Sequence, residues 1–309
     1  MRHPRLFLPV IGVLALLLAA CGGSSGSGTV SSTGGGKSSA AASGVCATNK
    51  TSGDLLAKVC AAGKVTVSTD PAYPPQSSLD KKTGGYEGFD IDVATELARR
   101  LGVEIGWQTP SFDIITAGSW NDRWDMSVGS MTPTNDRQKV LDFTEPYYFT
   151  PAVVVVHKDN TSIQDLSTDL DGKKVGVCSA CTYQQYLEKT LKINGFTFDF
   201  AIDDAKVSGY DTDTTALQDL ALGDGVRLDA VITSVTTAQG YINAGNPVKI
   251  VGDPVFYEPL SVAVDKSAQE DPTSFAAAVD TLVQQMHADG TLTTLSTKWY
   301  DGVDLTTQQ

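Results

Sequence analysis

The chain has 309 residues, which is enough for a well-buried core and for two domains. Its 36 acidic residues against 23 basic ones give a formal net charge of −13, which disfavours nucleic acid and anionic membrane surfaces as partners. The three histidines, His3, His157 and His287, are isolated, and no glycine-rich phosphate loop follows a strand, so we expect no metal, no cofactor and no Ser-His-Asp triad.

The N-terminus has the pattern of an export signal. Residues 1–20 combine a basic start with a short apolar run, which is typical of a signal peptide. The run ends in Leu18-Ala19-Ala20-Cys21, which resembles a bacterial lipobox and implies cleavage before Cys21 and a diacylglycerol on its sulfur. An ordinary signal peptide with a chance cysteine is the alternative, but the position of Cys21 favours the lipobox. Such an anchor places the protein on the outer side of the cell membrane without spanning it.

A tether and four further cysteines follow. Residues 21–45 are rich in Gly, Ser and Ala and predict a flexible linker that reaches about 25–30 Å. An even number of remaining cysteines in an exported chain predicts disulfides, and sequence proximity favours Cys46–Cys60 and Cys178–Cys181. The C-x-x-C spacing of the second pair also suits redox or metal chemistry, but without a second pair of ligands a structural disulfide fits better.

The first regular elements lead towards a proline-rich loop and then a helix. Residues 63–69 predict a strand that ends at a loop carrying Asp70 and Tyr73. Residues 88–103 predict an amphipathic helix, because apolar residues recur along one face and a glycine ends it. Phe112 begins a further helix, which leads to the central stretch of the chain.

That central stretch brings hydroxyl groups next to a guanidinium. A strand over Trp124–Met131 delivers Ser130 and Thr132 to a turn, and Thr134 is placed to cap a short helix with Arg137 in its first turn. An arginine fork beside hydroxyls and helix N–H groups is suited to holding a carboxylate. Taken alone, Arg137 is better explained by a surface ion pair of little energetic value.

An internal similarity links the two halves of the chain. The strand that begins at Gly63 resembles residues 172–177, and the helix-glycine-strand pattern ending at Ser130 resembles the one ending at Ser234. We therefore predict two α/β lobes of similar construction with a cleft between them. Loops into the cleft are predicted at the strand ends Asp70, Ser130, Ser179 and Ser234.

The predicted organisation has lobe 1 interrupted by lobe 2. The segments are a signal peptide (1–20), a lipidated cysteine and linker (21–45), the first part of lobe 1 (46–152), lobe 2 (153–252), and a hinge return with the rest of lobe 1 (253–309). Crossovers near Phe149–Val153 and Phe256–Val262 form the hinge. Helices are predicted over 182–193, 275–287 and 290–299.

Several motifs at fixed spacing resemble the family 3 solute-binding proteins of ABC importers, which bind polar amino acids. They are G-F-D-I-D from Gly88, the hydroxyl residues with an arginine five positions after Thr132, the D-F-T-x-P-Y-Y run from Asp142, and the K-W-Y ending at Tyr300. The resemblance covers almost the whole chain after the linker. It implies a type II periplasmic-binding-protein-like fold with two lobes joined by a two-strand hinge.

The resemblance also implies a ligand site. Arg137 would hold the α-carboxylate, Ser130 and Thr132 would contact both polar ends, and Tyr73 and Phe112 would sandwich the side chain. Asp70 matches a position that faces the ligand side chain, and Thr182 and Tyr183 fall where the family contacts ligand. From the residues alone, Asp70 also suits a turn before proline, and Phe112 a core position.

One position departs from the family pattern. Most of these binders end the lobe-2 strand with an aspartate that takes the ligand's α-ammonium, whereas here the strand ends in Ser234. Burying an ammonium without an anion is expensive, so another carboxylate is needed or the ligand lacks an ordinary α-ammonium. We expect Glu258 to be that carboxylate, with Asp70 as the next candidate.

The resemblance implies a monomeric binding protein that passes a small zwitterion to an ABC permease and needs no catalysis. Two alternatives share the fold. An enzyme resembling the cyclohexadienyl or arogenate dehydratases would need a general acid or base in the cleft, for which Asp70 and Glu258 are candidates. A sensory binding protein would need a separate receptor. Fold alone does not separate these functions.

Overall fold

The computed structural model describes residues 44–307. The predicted signal peptide, Cys21 and nearly all of the predicted linker lie outside the described residues. Within the described part of the chain, no helix has both the length and the apolar character that crossing a bilayer requires.

Strands and helices alternate through most of the described chain. The strands are β1 (Lys64–Ser68), β2 (Ala72–Tyr73), β3 (Ser77–Leu79), β4 (Tyr86–Glu87), β5 (Glu104–Gln108), β6 (Met126–Met131), β7 (Leu141–His157), β8 (Lys174–Cys178), β9 (Lys206–Tyr210), β10 (Ala230–Ser234) and β11 (Val248–Asp265). The helices are α1 (Gly44–Thr48), α2 (Leu55–Ala62), α3 (Phe89–Leu101), α4 (Phe112–Thr116), α5 (Thr182–Leu187), α6 (Asp213–Leu220), α7 (Val235–Asn243), α8 (Thr273–Ala288) and α9 (Thr291–Trp299).

Eight strands form one sheet whose two ends have the same construction. The order is β5-β1-β6-β11-β7-β10-β8-β9. Strands β5, β1 and β6 are parallel, as are β9, β8 and β10, and each trio meets one of the central strands in antiparallel fashion. The short strands β2, β3 and β4 form a separate antiparallel sheet. The prediction of two similar α/β lobes is confirmed.

Two long strands connect the halves. Strands β7 and β11 have 17 and 18 residues and pair with each other along most of their length. Near the middle, Thr150 lies opposite Glu258, and the register shifts between Val251 and Phe256. The residues predicted as hinge crossovers therefore lie in continuous paired strands, which carry the chain from one half to the other.

Each half has its own apolar core. One core packs α2, α3 and α8 against β1, β6 and the ends of β7 and β11, and it includes Phe89, Tyr147, Tyr148 and Phe275. The other half has two clusters on either side of its strands, one around Tyr186 and Phe256 and one around Leu217. Since burial of apolar surface is the main stabilising term in folding, each half has the means to hold its own shape.

Local sequence explains α3 well. Its buried positions recur at helical spacing, acidic residues stand in the first turn and basic residues in the last, and Gly102 ends it at φ 84°. Two other predicted helices are shorter than expected. Helix α5 ends at Leu187 rather than near residue 193, and the expected helix at Arg137 is a single 3-10 turn over Arg137–Lys139.

The structure pairs Cys46 with Cys60 and Cys178 with Cys181 as disulfides, with Cα–Cα distances of 5.2 and 5.6 Å. The first joins α1 to α2. The second closes the loop between β8 and α5.

Candidate functional site

A cavity of about 50 Å³ lies where strands of both halves end. Carboxyl ends of parallel strands meet at one edge of a sheet, and open α/β sheets place ligands there. The cavity is lined by Asp70, Tyr73, Phe112, Gly129, Ser130, Thr132, Arg137, Cys178, Cys181, Thr182, Tyr183, Asp211, Thr212, Asp213 and Glu258. This lining includes every predicted ligand-binding residue except Ser234.

Ser234 is engaged elsewhere. Its hydroxyl caps α7 by accepting from the backbone N–H of Thr237 at 3.2 Å. The same Oγ accepts hydrogen bonds from the Tyr73 hydroxyl and the Gln76 amide, both at 3.1 Å. These contacts make Ser234 a link between β10 and the loop around Tyr73 rather than part of the cavity wall.

Arg137 is buried, with 4% of its surface exposed. Its Nη1 donates to the Thr132 carbonyl at 2.9 Å and its Nη2 to the Ala180 carbonyl at 2.8 Å. The guanidinium lies 5.0 Å from the centre of the Phe112 ring. Burial lowers the pKa of Arg137 to about 10, which leaves the side chain charged at neutral pH. Its Nε has no hydrogen-bond partner among residues 44–307.

Glu258 lies on β11 between the two halves and is 2% exposed. One carboxylate oxygen accepts hydrogen bonds from the hydroxyls of Thr132 and Thr182, each at 2.6 Å. Burial raises the pKa of Glu258, while these hydroxyls and the charge of Arg137 oppose the rise. Glu258 thus presents negative charge next to Arg137 and is bound by a residue from each half.

Ser130 is held in place by the motifs that flank it. Its hydroxyl donates to Asp90 at 2.8 Å, and Tyr147 donates to the same carboxylate at 2.7 Å. Tyr148 is hydrogen-bonded to the Ser130 hydroxyl at 2.7 Å. The backbone of Ser130 has φ 53°, a conformation that costs a non-glycine residue about 1–3 kcal/mol. The buried network therefore maintains a strained backbone conformation near the end of β6, at the cavity wall.

Asp70 and Tyr73 line the side of the cavity formed by the loop after β1. Asp70 accepts a hydrogen bond from the backbone N–H of Ala72 at 2.7 Å, as expected of a turn residue, yet it also faces the cavity. Burial raises the pKa of Asp70. Burial also raises the pKa of Tyr73, so its hydroxyl stays protonated and available as a donor.

Asp213 and Tyr183 line the cavity but are absent from the predicted ligand-binding residues, although the family resemblance marked the position of Tyr183. Asp213 is the first residue of α6, directly after the loop that follows β9. Because β9 is parallel to β8, its carboxyl end faces the same edge as the predicted strand ends. A strand prediction over residues 206–210 would have placed Asp213 at the site.

Hydrogen bonds also join the two halves beside the cavity. The Thr214 hydroxyl donates to the Ala72 carbonyl at 2.6 Å, and the Gln76 amide donates to the Thr236 hydroxyl at 2.7 Å. Thr134 forms an isolated antiparallel bridge with Ile193. The two halves are therefore in contact around the cavity in a closed arrangement.

Metal-binding chemistry has no support in the part of the chain that the structure covers. Among residues 44–307, no three His, Cys, Asp or Glu side chains are grouped in a way that would hold a metal ion. The cavity instead offers a guanidinium, carboxylates, hydroxyls and aromatic rings, a set suited to an organic zwitterion.

Comparison with known proteins places most of the described region in one family. The sequence profile of the bacterial extracellular solute-binding proteins, family 3, matches residues 65–302. The L-cystine-binding protein TcyJ of Escherichia coli (strain K12) is 31% identical over 252 residues, which cover 82% of this chain and 88% of that protein. The L-arginine-binding protein of Pseudomonas aeruginosa is 33% identical over 226 residues, covering 71% and 82%.

A solved structure gives the same result. The ancestral amino acid-binding protein AncCDT-1, a precursor of cyclohexadienyl dehydratase, superposes with a TM-score of 0.68 at 30% identity, covering 79% of this chain and 99% of that one. The chain therefore belongs to the bacterial extracellular solute-binding proteins of family 3.

Proposed function

We propose that this protein captures a polar amino acid outside the cytoplasm and delivers it to the permease of an ABC importer. The named relatives support this, because they are binding proteins for L-cystine and L-arginine. The observation in this chain that carries the proposal is the guanidinium of Arg137. It is buried in the cavity wall, fixed by two carbonyl groups and an aromatic ring, and retains a free Nε–H within the described chain.

The other lining residues complete a site for a zwitterion. Arg137 takes the α-carboxylate, since charge-assisted hydrogen bonds from a fixed guanidinium suit a planar anion. Ser130 and Thr132 contact the polar groups of the ligand, and Thr182 adds a hydroxyl from the opposite half. Tyr73 and Phe112 cover the ligand side chain and exclude water.

Binding requires the two halves to separate and close again. A cavity of about 50 Å³ has room for roughly four water molecules, which is less than an amino acid needs. Motion about the paired strands β7 and β11 opens the cavity to solvent, and closure then buries the ligand. The lobe boundaries proposed at residues 152 and 252 lie within these two strands.

The proposed partner is an ABC permease, and the protein works as a monomer attached through lipidated Cys21. The tether predicted within residues 21–45 lets the binding domain reach a membrane complex. The protein needs no cofactor for this role and catalyses no reaction.

A thermal-shift screen tests the proposal. A ligand that binds only the folded state stabilises it by about 2.7 kcal/mol at a concentration 100 times its Kd, which is readily seen as a higher Tm. We expect at least one polar amino acid to raise the Tm. In a separate incubation, we expect prephenate to be left unconverted. If no amino acid changes the Tm and none is detected by calorimetry, the proposal is wrong.

The enzymatic alternative has two specific observations in its favour. AncCDT-1 is described as a precursor of a dehydratase, and buried carboxyl groups with raised pKa values line this cavity, as a general acid requires. Incubation with prephenate or arogenate followed by product analysis separates the functions. Multiple turnovers would establish the enzyme, whereas binding without turnover supports the solute-binding role.

A further inference from the structure

The charges that line the cavity do not balance. Asp70, Asp213 and Glu258 line it together with a single basic side chain, that of Arg137, and the described lining holds no second cation. Asp211 also belongs to the lining but is exposed to solvent. With these groups ionised, a neutral zwitterion leaves the excess of negative charge in place. Buried charge without a partner is expensive, so the walls favour a ligand that brings extra positive charge.

Asp213 is the wall carboxylate with the least internal compensation. Its side chain is 6% exposed, and Oδ1 has no hydrogen-bond partner among residues 44–307. By contrast, Glu258 accepts two hydroxyl hydrogen bonds and Asp70 accepts one from the Ala72 backbone. A buried polar atom that faces a cavity without a partner indicates that the partner comes from outside the chain.

The negative charges are also separated along the cavity. Glu258 and Arg137 both bind Thr132, Glu258 through the hydroxyl and Arg137 through the carbonyl. Asp213 instead lies next to Thr214, whose hydroxyl donates to the Ala72 carbonyl, and the Ala72 N–H donates to Asp70. Glu258 therefore lies beside the positive Arg137, whereas Asp70 and Asp213 come together at another part of the wall. This arrangement matches a ligand with a carboxylate at one end and a cation at the other.

We infer that the ligand is a cationic amino acid whose side-chain ammonium or guanidinium lies between Asp70 and Asp213. Its carboxylate binds Arg137 and its α-ammonium lies near Glu258, which is the replacement expected for the missing aspartate at Ser234. The inference rests on the proposed function, since it assigns an amino acid to this site. A ligand with two carboxylates, such as cystine, is disfavoured because its second carboxylate finds no second cation in the described lining.

The acid-base properties of Asp213 agree with this assignment. Burial raises the pKa of Asp213 to about 7, the Thr233 hydroxyl opposes the rise, and Asp70 and Glu258 reinforce it. A cation beside these carboxylates favours their ionised forms and relieves their mutual repulsion. In the unliganded site, the carboxyl groups of Asp70, Asp213 and Glu258 therefore disfavour each other's ionisation, and a cationic ligand offsets this repulsion.

Calorimetry on the unmodified protein gives the first test. Two pairs are compared: L-arginine with L-citrulline, which differ chiefly in the side-chain charge, and L-lysine with L-norleucine, which lacks the terminal ammonium. L-ornithine and L-cystine are included for size and for a second carboxylate. We expect the cationic member of at least one pair to bind at least about 30-fold more tightly, which corresponds to about 2 kcal/mol.

The variant Asp213→Asn keeps the size of the side chain and removes its charge. We expect it to weaken the preferred cationic ligand by about 30-fold or more and to change the neutral partner by less than about threefold. Asp253→Asn makes the same chemical change at an exposed position and serves as the control. Circular dichroism melting checks that each variant folds, and Asp213→Ser replaces the asparagine variant if that one does not.

The outcomes separate the inference from the proposed function. If amino acids bind but the neutral members are preferred, or if Asp213→Asn weakens both members equally, the inference is wrong and the proposed function stands. If no amino acid binds at all, the proposed function fails and the inference fails with it. A charge preference that disappears in Asp213→Asn but persists in Asp253→Asn supports the assignment.

Discussion

Replacing Arg137 with alanine removes the one guanidinium that lines the described cavity, and we expect it to weaken ligand binding strongly. The side chain is buried and its two carbonyl acceptors, on Thr132 and Ala180, belong to opposite sides of the cavity. The alanine variant therefore loses the ligand's charge partner and also a contact that holds the cavity closed.

The expected loss follows from the burial of the pair. Truncating one partner of a buried, hydrogen-bonded charge pair costs about 2–5 kcal/mol, which is about 30-fold to several thousandfold in Kd. Arg137→Lys keeps the charge but loses the planar fork and its stacking on Phe112. We expect the lysine variant to lie between wild type and alanine, with a loss of at least about tenfold.

Isothermal titration calorimetry with the best ligand from the screen measures these effects. Arg123→Ala is the matched control, because Arg123 also donates to a carbonyl, that of Trp120, and lies 4.8 Å from the Trp124 ring, but it is not part of the cavity lining. We expect Arg123→Ala to keep its affinity within about threefold. Near-normal affinity in Arg137→Ala would refute the assignment of the carboxylate site.

Three further outcomes are expected. Replacing Cys178 and Cys181 with serine weakens ligand affinity in calorimetry more than it lowers Tm, because their loop presents the Ala180 carbonyl to the guanidinium of Arg137. An equal loss of affinity when Cys46 and Cys60 are both replaced with serine would contradict this. Between about pH 4 and 7 the folded ligand-free protein keeps a proton on Asp213 that the unfolded chain has lost, so the free energy of unfolding falls as pH rises. We expect the Tm of Asp213→Asn to depend less on pH over this range than the Tm of the unmodified protein. Cys21→Ser moves the protein from the membrane fraction to the soluble fraction, and unchanged membrane association would exclude the lipid anchor.

Local sequence patterns predict helix α3 and the strand that ends after Ser130. The helix was expected over 88–103 and spans Phe89–Leu101, because its apolar spacing, charged ends and terminal glycine all lie within the segment itself. The expected boundary of α5 was too long for a reason outside its own sequence. Lys189 has φ 57°, and Ile193 pairs with Thr134, so a contact between distant segments redirects the chain.

The site was predictable where a residue type and its spacing carried the information. Arg137 and Thr132 are examples, since the family pattern places them at the end of a strand. Ser234 is predicted to face the cleft, but its hydroxyl caps the next helix and does not line the cavity. A serine that follows a strand can do either, and the residues packed around it determine which. Asp213 was missed because β9 is partly exposed and has no clear alternation of apolar residues.

The pairing of β7 with β11 has a consequence for the order of folding. The core residues of one half all lie between Ala152 and Phe256, whereas the core of the other half combines Leu55 with Leu305. Long-range contacts form slowly because loop closure costs entropy before the contacts repay it. We expect the continuous half to gain protection from hydrogen exchange first during refolding, while the discontinuous half waits for its C-terminal helices to dock.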